Sequence, residues 1–283
     1  MATFTNFATL TYNGGVLTSN TVTGELLETL SASKIAVLDT YGAGEDVTYV
    51  ISLLNSGAQP LTNLTVTDDL GGYAFGGGVV YPLSYSDGSI RYYANGVLQA
   101  APVVSAGAPL VISGINVPAG GNALLIYEAR VTEYAPLGSA ATILNTATVT
   151  GAGLSAPVVA TETISARSGA SLAISKALEP AVITENGQIT YTFVIENYGN
   201  TDAIATDNVV LSDTFDPILD PITVSYNGTV WTEGVNYNYD ATTGVFSTLA
   251  GQITVPAATY VQNPDGTWSV TPGVATVVVS GTV

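Results

Sequence analysis

The chain has 283 residues, 47% of them apolar, enough to build two hydrophobic cores of ordinary domain size. Five basic residues against 22 acidic ones give a net charge of −17, which leaves no basic surface for a phosphate backbone and excludes nucleic acid as a partner. The composition holds no His and no Cys, which excludes His-based triads, thiol nucleophiles, disulfides, zinc fingers and iron–sulfur centres; no cofactor and no metal is expected.

The opening, MATFTNFATLTYNGG, has neither a basic start nor a continuous apolar stretch, so it reads as no secretory signal, and no segment is apolar enough for membrane insertion. Downstream, short runs alternate in polarity and are rich in Thr, Val and Tyr, with Gly, Asn and Pro between them. This predicts an all-β chain. The runs form a tandem repeat. Copy one reads SASKIAV (31–37), DVTYVISLLNSG (46–57), LTVTDDL (64–70) and INVP (115–118). Copy two reads AISKALE (173–179), QITYTFVIENYG (188–199), VVLSDTF (209–215) and ITVP (253–256). Lys34 to Tyr49 and Lys176 to Tyr191 are both 15 residues. Asn95-Gly96 and Asn227-Gly228 stand where two-residue hairpin turns belong, and Pro264-Asp265-Gly266 turns an extra hairpin in copy two. Each copy is expected to be an Ig-like β-sandwich.

The copies end differently. Copy one closes with ATILNTATVTGAGLSAPVVATETI (141–164), two alternating runs around a Gly-rich turn, whereas copy two runs out at Val283, which aligns with Val131. A matching segment stands at the other end of the chain: Asn6-Phe7-Ala8-Thr9-Leu10 against Asn145-Thr146-Ala147-Thr148-Val149, and Glu25 against Glu162. The expected organisation is an N-terminal donor hairpin (1–30), a complete domain (31–166) and an incomplete one (167–283). A sandwich short of two strands exposes its core and an unpaired edge. A hairpin tethered by a few residues, at roughly 3.3 Å each, hardly reaches across a whole domain to its own chain's groove. Complementation by the next copy, head to tail, is therefore expected. Phe4, Ala8, Leu10, Tyr12, Leu17 and Val22 are the expected inward positions, worth on the order of 10 kcal/mol gross.

Polar residues also fall on the core face. The only two lysines occupy equivalent positions: Lys34 shares parity with Leu30 and Ala36, Lys176 with Leu172, Ile174 and Leu178. Asp68 alternates with Val66 and Leu70, Asp213 with Leu211 and Phe215. Asn145 alternates with Ile143 and Ala147, and Asn6 with Phe4 and Ala8. A buried ammonium needs a partner or must lose its charge.

The lysine opening, the VTY…NSG run, LTVTDDL and NTATV resemble the bacterial conserved-repeat family known as domain of unknown function 11. That resemblance spans nearly the whole chain and implies Ig-like modules strung in tandem on surface proteins. The Lys, Asp and Asn set resembles the self-forming isopeptide sites of Gram-positive pilin and adhesin domains. It implies cross-links from Lys34 to Asn145 within a chain and from Lys176 to Asn6 between chains, with Asp68 and Asp213 as proton shuttles. The same residues also make a buried ion pair with no reaction. The function expected is a self-assembling extracellular fibre subunit at a cell or spore surface, a homopolymer with no enzymatic activity beyond its own cross-linking. An Ig-like adhesin or ligand-binding module is the alternative.

Overall fold

The computed structural model describes residues 2–283 as β-strands and turns, with one 3₁₀ turn at Ala205–Asp207 and no α-helix among the described residues. None of it is a helix long and apolar enough to cross a membrane. The chain divides into two units. Unit one takes the residues up to Ala135 together with Thr142–Ser165, and unit two takes Pro136–Ala141 with Ala166–Val283.

Unit one is a sandwich of two six-stranded sheets. In the first, the lysine strand Leu30–Ala36 pairs with Asp46–Asn55, which pairs with Asn122–Val131. In the second, the aspartate strand Leu61–Asp68 lies between Leu110–Val117 and the asparagine strand Thr142–Thr150, and the latter pairs with Val158–Ala166. Alternation does the sorting: Val47, Tyr49, Ile51 and Leu53 point inward from one sheet, and Leu64, Val66, Ile112 and Val149 from the other. Each large side chain so buried contributes about 1.5–3 kcal/mol.

Unit two repeats this plan in part. A five-stranded sheet runs from Leu172–Glu179 through Gln188–Asn197 and Gly273–Thr282, and a three-stranded sheet holds Ser212–Thr214, Val245–Thr248 and Tyr237–Asp240. Its core collects Tyr191, Phe193, Phe215, Phe246 and Val277. Among the described residues, no strand pairs with the second edge of Ser212–Thr214, the edge that the asparagine strand occupies in unit one. The extra hairpin is present as Thr259–Gln262 paired with Trp268–Thr271.

Residues 2–26 form a β-ribbon. Ala2–Asn6 pairs with Val22–Leu26, and Thr9–Tyr12 with Gly15–Thr18, around an Asn13-Gly14 turn in which both residues have positive φ (47° and 75°). Asn95-Gly96 and Asn227-Gly228 repeat that turn conformation. Between Thr9↔Thr18 and Asn6↔Val22 the second strand carries one residue more than the first, a β-bulge. The Phe4 ring covers Gly24, where a Cβ would lie 2.4 Å from Phe4 Cζ. Among the described residues the ribbon's strands pair only with each other, and Phe4, Phe7, Leu10, Tyr12, Leu17 and Val22 are all exposed.

Candidate functional site

In unit one the structure brings the predicted residues together in the core. Lys34 Nζ lies 2.6 Å from Asp68 Oδ2, and both side chains are 0% exposed. Asp68 Oδ1 accepts the Leu70 N–H at 3.0 Å, and Oδ2 also accepts the Tyr127 hydroxyl at 2.5 Å. The ammonium sits 4.7 Å from the centre of the Tyr49 ring, which stacks on Tyr127. Burial pulls the Lys34 pKa below its ordinary value, against the opposing pull of Asp68. Burial likewise raises Tyr49 and Tyr127, keeping both phenols protonated.

Asn145 is fully buried beside these groups. Its strand pairs Ala147 with Asp68, two residues along on the same face, and its amide lies close enough to Tyr49 and Tyr127 to oppose the rise in their pKa values. Yet neither Oδ1 nor Nδ2 of Asn145 makes a well-formed hydrogen bond, and the Tyr49 hydroxyl has none either. Such an unpaired buried amide costs about 1–3 kcal/mol. Glu162 faces Asn145 across the strand pair, half-buried, and its charge favours protonated Lys34.

These groups have the makings of an amide exchange. Passing the Lys34 proton to Asp68 gives a carboxylic acid and a neutral amine, the form of Lys34 that its burial favours. An amine can then attack the Asn145 carbonyl carbon while the acid polarises its oxygen, and the Cγ–Nδ2 bond breaks to release ammonia.

Unit two holds the first half of this set. Lys176 Nζ donates to Asp213 Oδ2, with Tyr191, Phe193 and Phe215 rings around the ammonium. Here the Lys176 side chain is 41% exposed. Every residue of its strand is exposed, including Leu172, Ile174 and Leu178, whose parity predicts core positions. The physical reason is the neighbour: among the described residues, no strand lies over the inward face of that strand as Thr142–Thr150 does in unit one. Val279 takes the place of Tyr127, as the pairing of Tyr191 with Val279 and of Tyr49 with Tyr127 shows, so the phenol that donates to Asp68 has no counterpart at Asp213 among the described residues.

Asn6 lies on the ribbon, outside both units' cores, on the same face as Phe4 and Val22. Its cross-strand partner corrects the sequence alignment beyond the turn. Glu25 sits opposite Thr3, while Val22 is the residue opposite Asn6 as Glu162 is opposite Asn145. A two-residue turn and a bulge replace the longer loop of unit one, which shifts the register.

Tyr49 and Tyr127 are the site residues that sequence reasoning missed. Both alternate with core aliphatics and read as filling; the hint was Tyr127 pairing directly with Tyr49, visible only once the strands are in register.

No protein-family model matches the chain, and no curated protein matches it. Solved structures similar to it include the pilus backbone RrgB from Streptococcus pneumoniae, at 10% identity over 86% of this chain and 49% of that one, with a TM-score of 0.36. BcpA, the major pilin subunit of Bacillus cereus, matches at 16% identity over 96% of this chain and 73% of that one, with a TM-score of 0.33. The collagen-binding domain of a Staphylococcus aureus adhesin matches at 9% identity over 49% of this chain and 99% of that one, with a TM-score of 0.31.

Proposed function

We propose that the chain is the subunit of an extracellular fibre that grows head to tail, the N-terminal ribbon of one copy completing unit two of the next. The observation that carries this reading is a match between two uncovered surfaces. Unit two leaves the edge of Ser212–Thr214 and the inward face of Leu172–Glu179 uncovered, and the ribbon leaves its apolar side chains in water. Each is an aggregation hazard alone, and each supplies what the other lacks. Docked in the register of Asn145, Asn6 meets Lys176 and Asp213, and the exchange described for unit one then joins two chains by a Lys–Asn amide with loss of ammonia. Docking supplies the effective molarity that lets so slow a reaction proceed without an external enzyme.

Electron microscopy of the full chain and of a chain lacking residues 1–27 tests the reading. The full chain is expected to form fibres. The shortened chain is expected to form none alone and to stop fibre growth when mixed in, because it accepts a ribbon and offers none. Normal fibres from the shortened chain would overturn it.

A further inference from the structure

The register that sets Asn6 in the place of Asn145 sets Tyr12 in the place of Gly151. In unit one that position is crowded: a Cβ on Gly151 would lie 2.6 Å from Leu64 Cδ2 and 3.2 Å from Leu64 Cα, so a side chain enters only if Leu64 shifts. Unit two is built smaller at the same point. Val209 stands for Leu64, four residues before the aspartate in both copies, and Ala203 stands for Leu61, since Ala203 bridges Val255 as Leu61 pairs with Val117. Where the acceptor lost volume, the ribbon gained a phenol.

The open space differs too, because the closing hairpin of unit one has no counterpart among the described residues of unit two. In unit one the cleft between Leu27–Leu30 and the closing loop at Gly153–Val158 is about 60 Å³. At the corresponding place in unit two, a cleft of about 710 Å³ is lined by Gly169, Leu172, Asp202, Ala203, Ile204 and Val209. Leu172, Ala203, Ile204 and Val209 give it apolar surface alongside the polar Thr201, Asp202 and Asp207, a mixed lining that suits a ring carrying a hydroxyl.

We propose that this cleft seats Tyr12 of a second copy of this chain, and that the exchange of Gly151, Leu64 and Leu61 for Tyr12, Val209 and Ala203 makes the joint specific for this ribbon. The proposal rests on the head-to-tail reading. In the free ribbon Tyr12 is 71% exposed, so the ring is available for docking.

The test is a double-mutant cycle on the full chain in an Asn6→Ala background, which cannot cross-link and so assembles reversibly. The measured quantity is the protein concentration at half-assembly, by sedimentation. Tyr12→Gly is expected to raise it about tenfold or more, as for a buried aromatic anchor. Val209→Leu, which restores the residue of the closed unit, is expected to raise it as well. The two together are expected to cost less than the product of the single effects, because a ribbon without the ring no longer needs the room that Val209→Leu removes. Tyr12 lies on the exposed ribbon, so its replacement leaves both cores intact. Assembly of Tyr12→Gly at the parent concentration, or strictly independent effects, would overturn the seat while leaving head-to-tail growth standing. Assembly of the chain lacking residues 1–27 would remove both.

Discussion

Tyr127 donates its hydroxyl hydrogen to the same carboxylate oxygen of Asp68 that receives the Lys34 ammonium, at 2.5 and 2.6 Å. With Leu70 N–H on the other oxygen, the carboxylate is held in place by three donors from three segments. The Asn145 amide beside it is the one member of the set left without a hydrogen bond, though not the one lone polar atom, since the Tyr49 hydroxyl shares that state. A single proton shift across the Lys34–Asp68 bond gives the neutral amine that the exchange needs.

Mass is the most direct check of that chemistry. The full chain is expected to be lighter than its sequence by about 17 Da, one ammonia, for the bond within unit one. Asp68→Ala is expected to restore the full mass, because without the acid the Asn145 carbonyl is not polarised. An unmodified mass for the unaltered chain would reduce the site to an ion pair.

The ion pair can be weighed where no bond can form. In an Asn145→Ala chain, a further Asp68→Ala leaves the Lys34 ammonium buried and alone, and is expected to cost about 3–5 kcal/mol by denaturant unfolding. Replacing both charges at once, Lys34→Met with Asp68→Leu, is expected to cost less than that single change.

The same Asn145→Ala chain carries a pH signature. Burial places the folded-state pKa of Lys34 below its ordinary value of 10.5. Between the two, the unfolded chain binds more protons than the folded one, so stability rises with pH across that window and is flat for this group beneath it. The raised Tyr49 and Tyr127 act with the opposite sign, and only above their ordinary value of 10.0. Thermal unfolding midpoints are expected to climb with alkalinity below pH 10.0; a fall there would contradict a desolvated lysine.

Boiling detergent separates docking from cross-linking. Fibres of the full chain are expected to persist as a ladder on a gel, and Asn6→Ala or Lys176→Ala fibres to fall to monomers while still assembling in buffer. Complete dissociation of the unaltered fibres would exclude the covalent joint and leave strand complementation alone.

Parity along single strands was enough to find Lys34, Asp68 and Asn145 inside unit one, because a period of two leaves only two faces to choose from. Asn-Gly pairs likewise announced their turns, since few other residues adopt two successive positive φ values. What strand parity could not show is which face another strand covers. Leu172, Ile174 and Leu178 have the pattern of core residues and lie exposed, as burial belongs to the neighbour and not to the strand. Asn55 and Asn197 were legible only as repeat markers. Each is fully buried, and each donates its amide hydrogens to carbonyls of the following loop and of Val117 or Val255. Such bonds join segments some 60 residues apart, and no local pattern predicts them.

Lys34 lies on the first strand of unit one's sandwich and Asn145 on the last but one, so the 110 residues at positions 35–144 fall between them. Once the two side chains are joined, tension applied along the chain passes from one strand to the other through the amide, and the intervening segment bears none of it. At about 3.3–3.6 Å per residue, that segment holds roughly 360–400 Å of slack that a pulled subunit never releases. A single-molecule pull on the Asn145→Ala chain is expected to release that length, and on the unaltered chain to stop short of it.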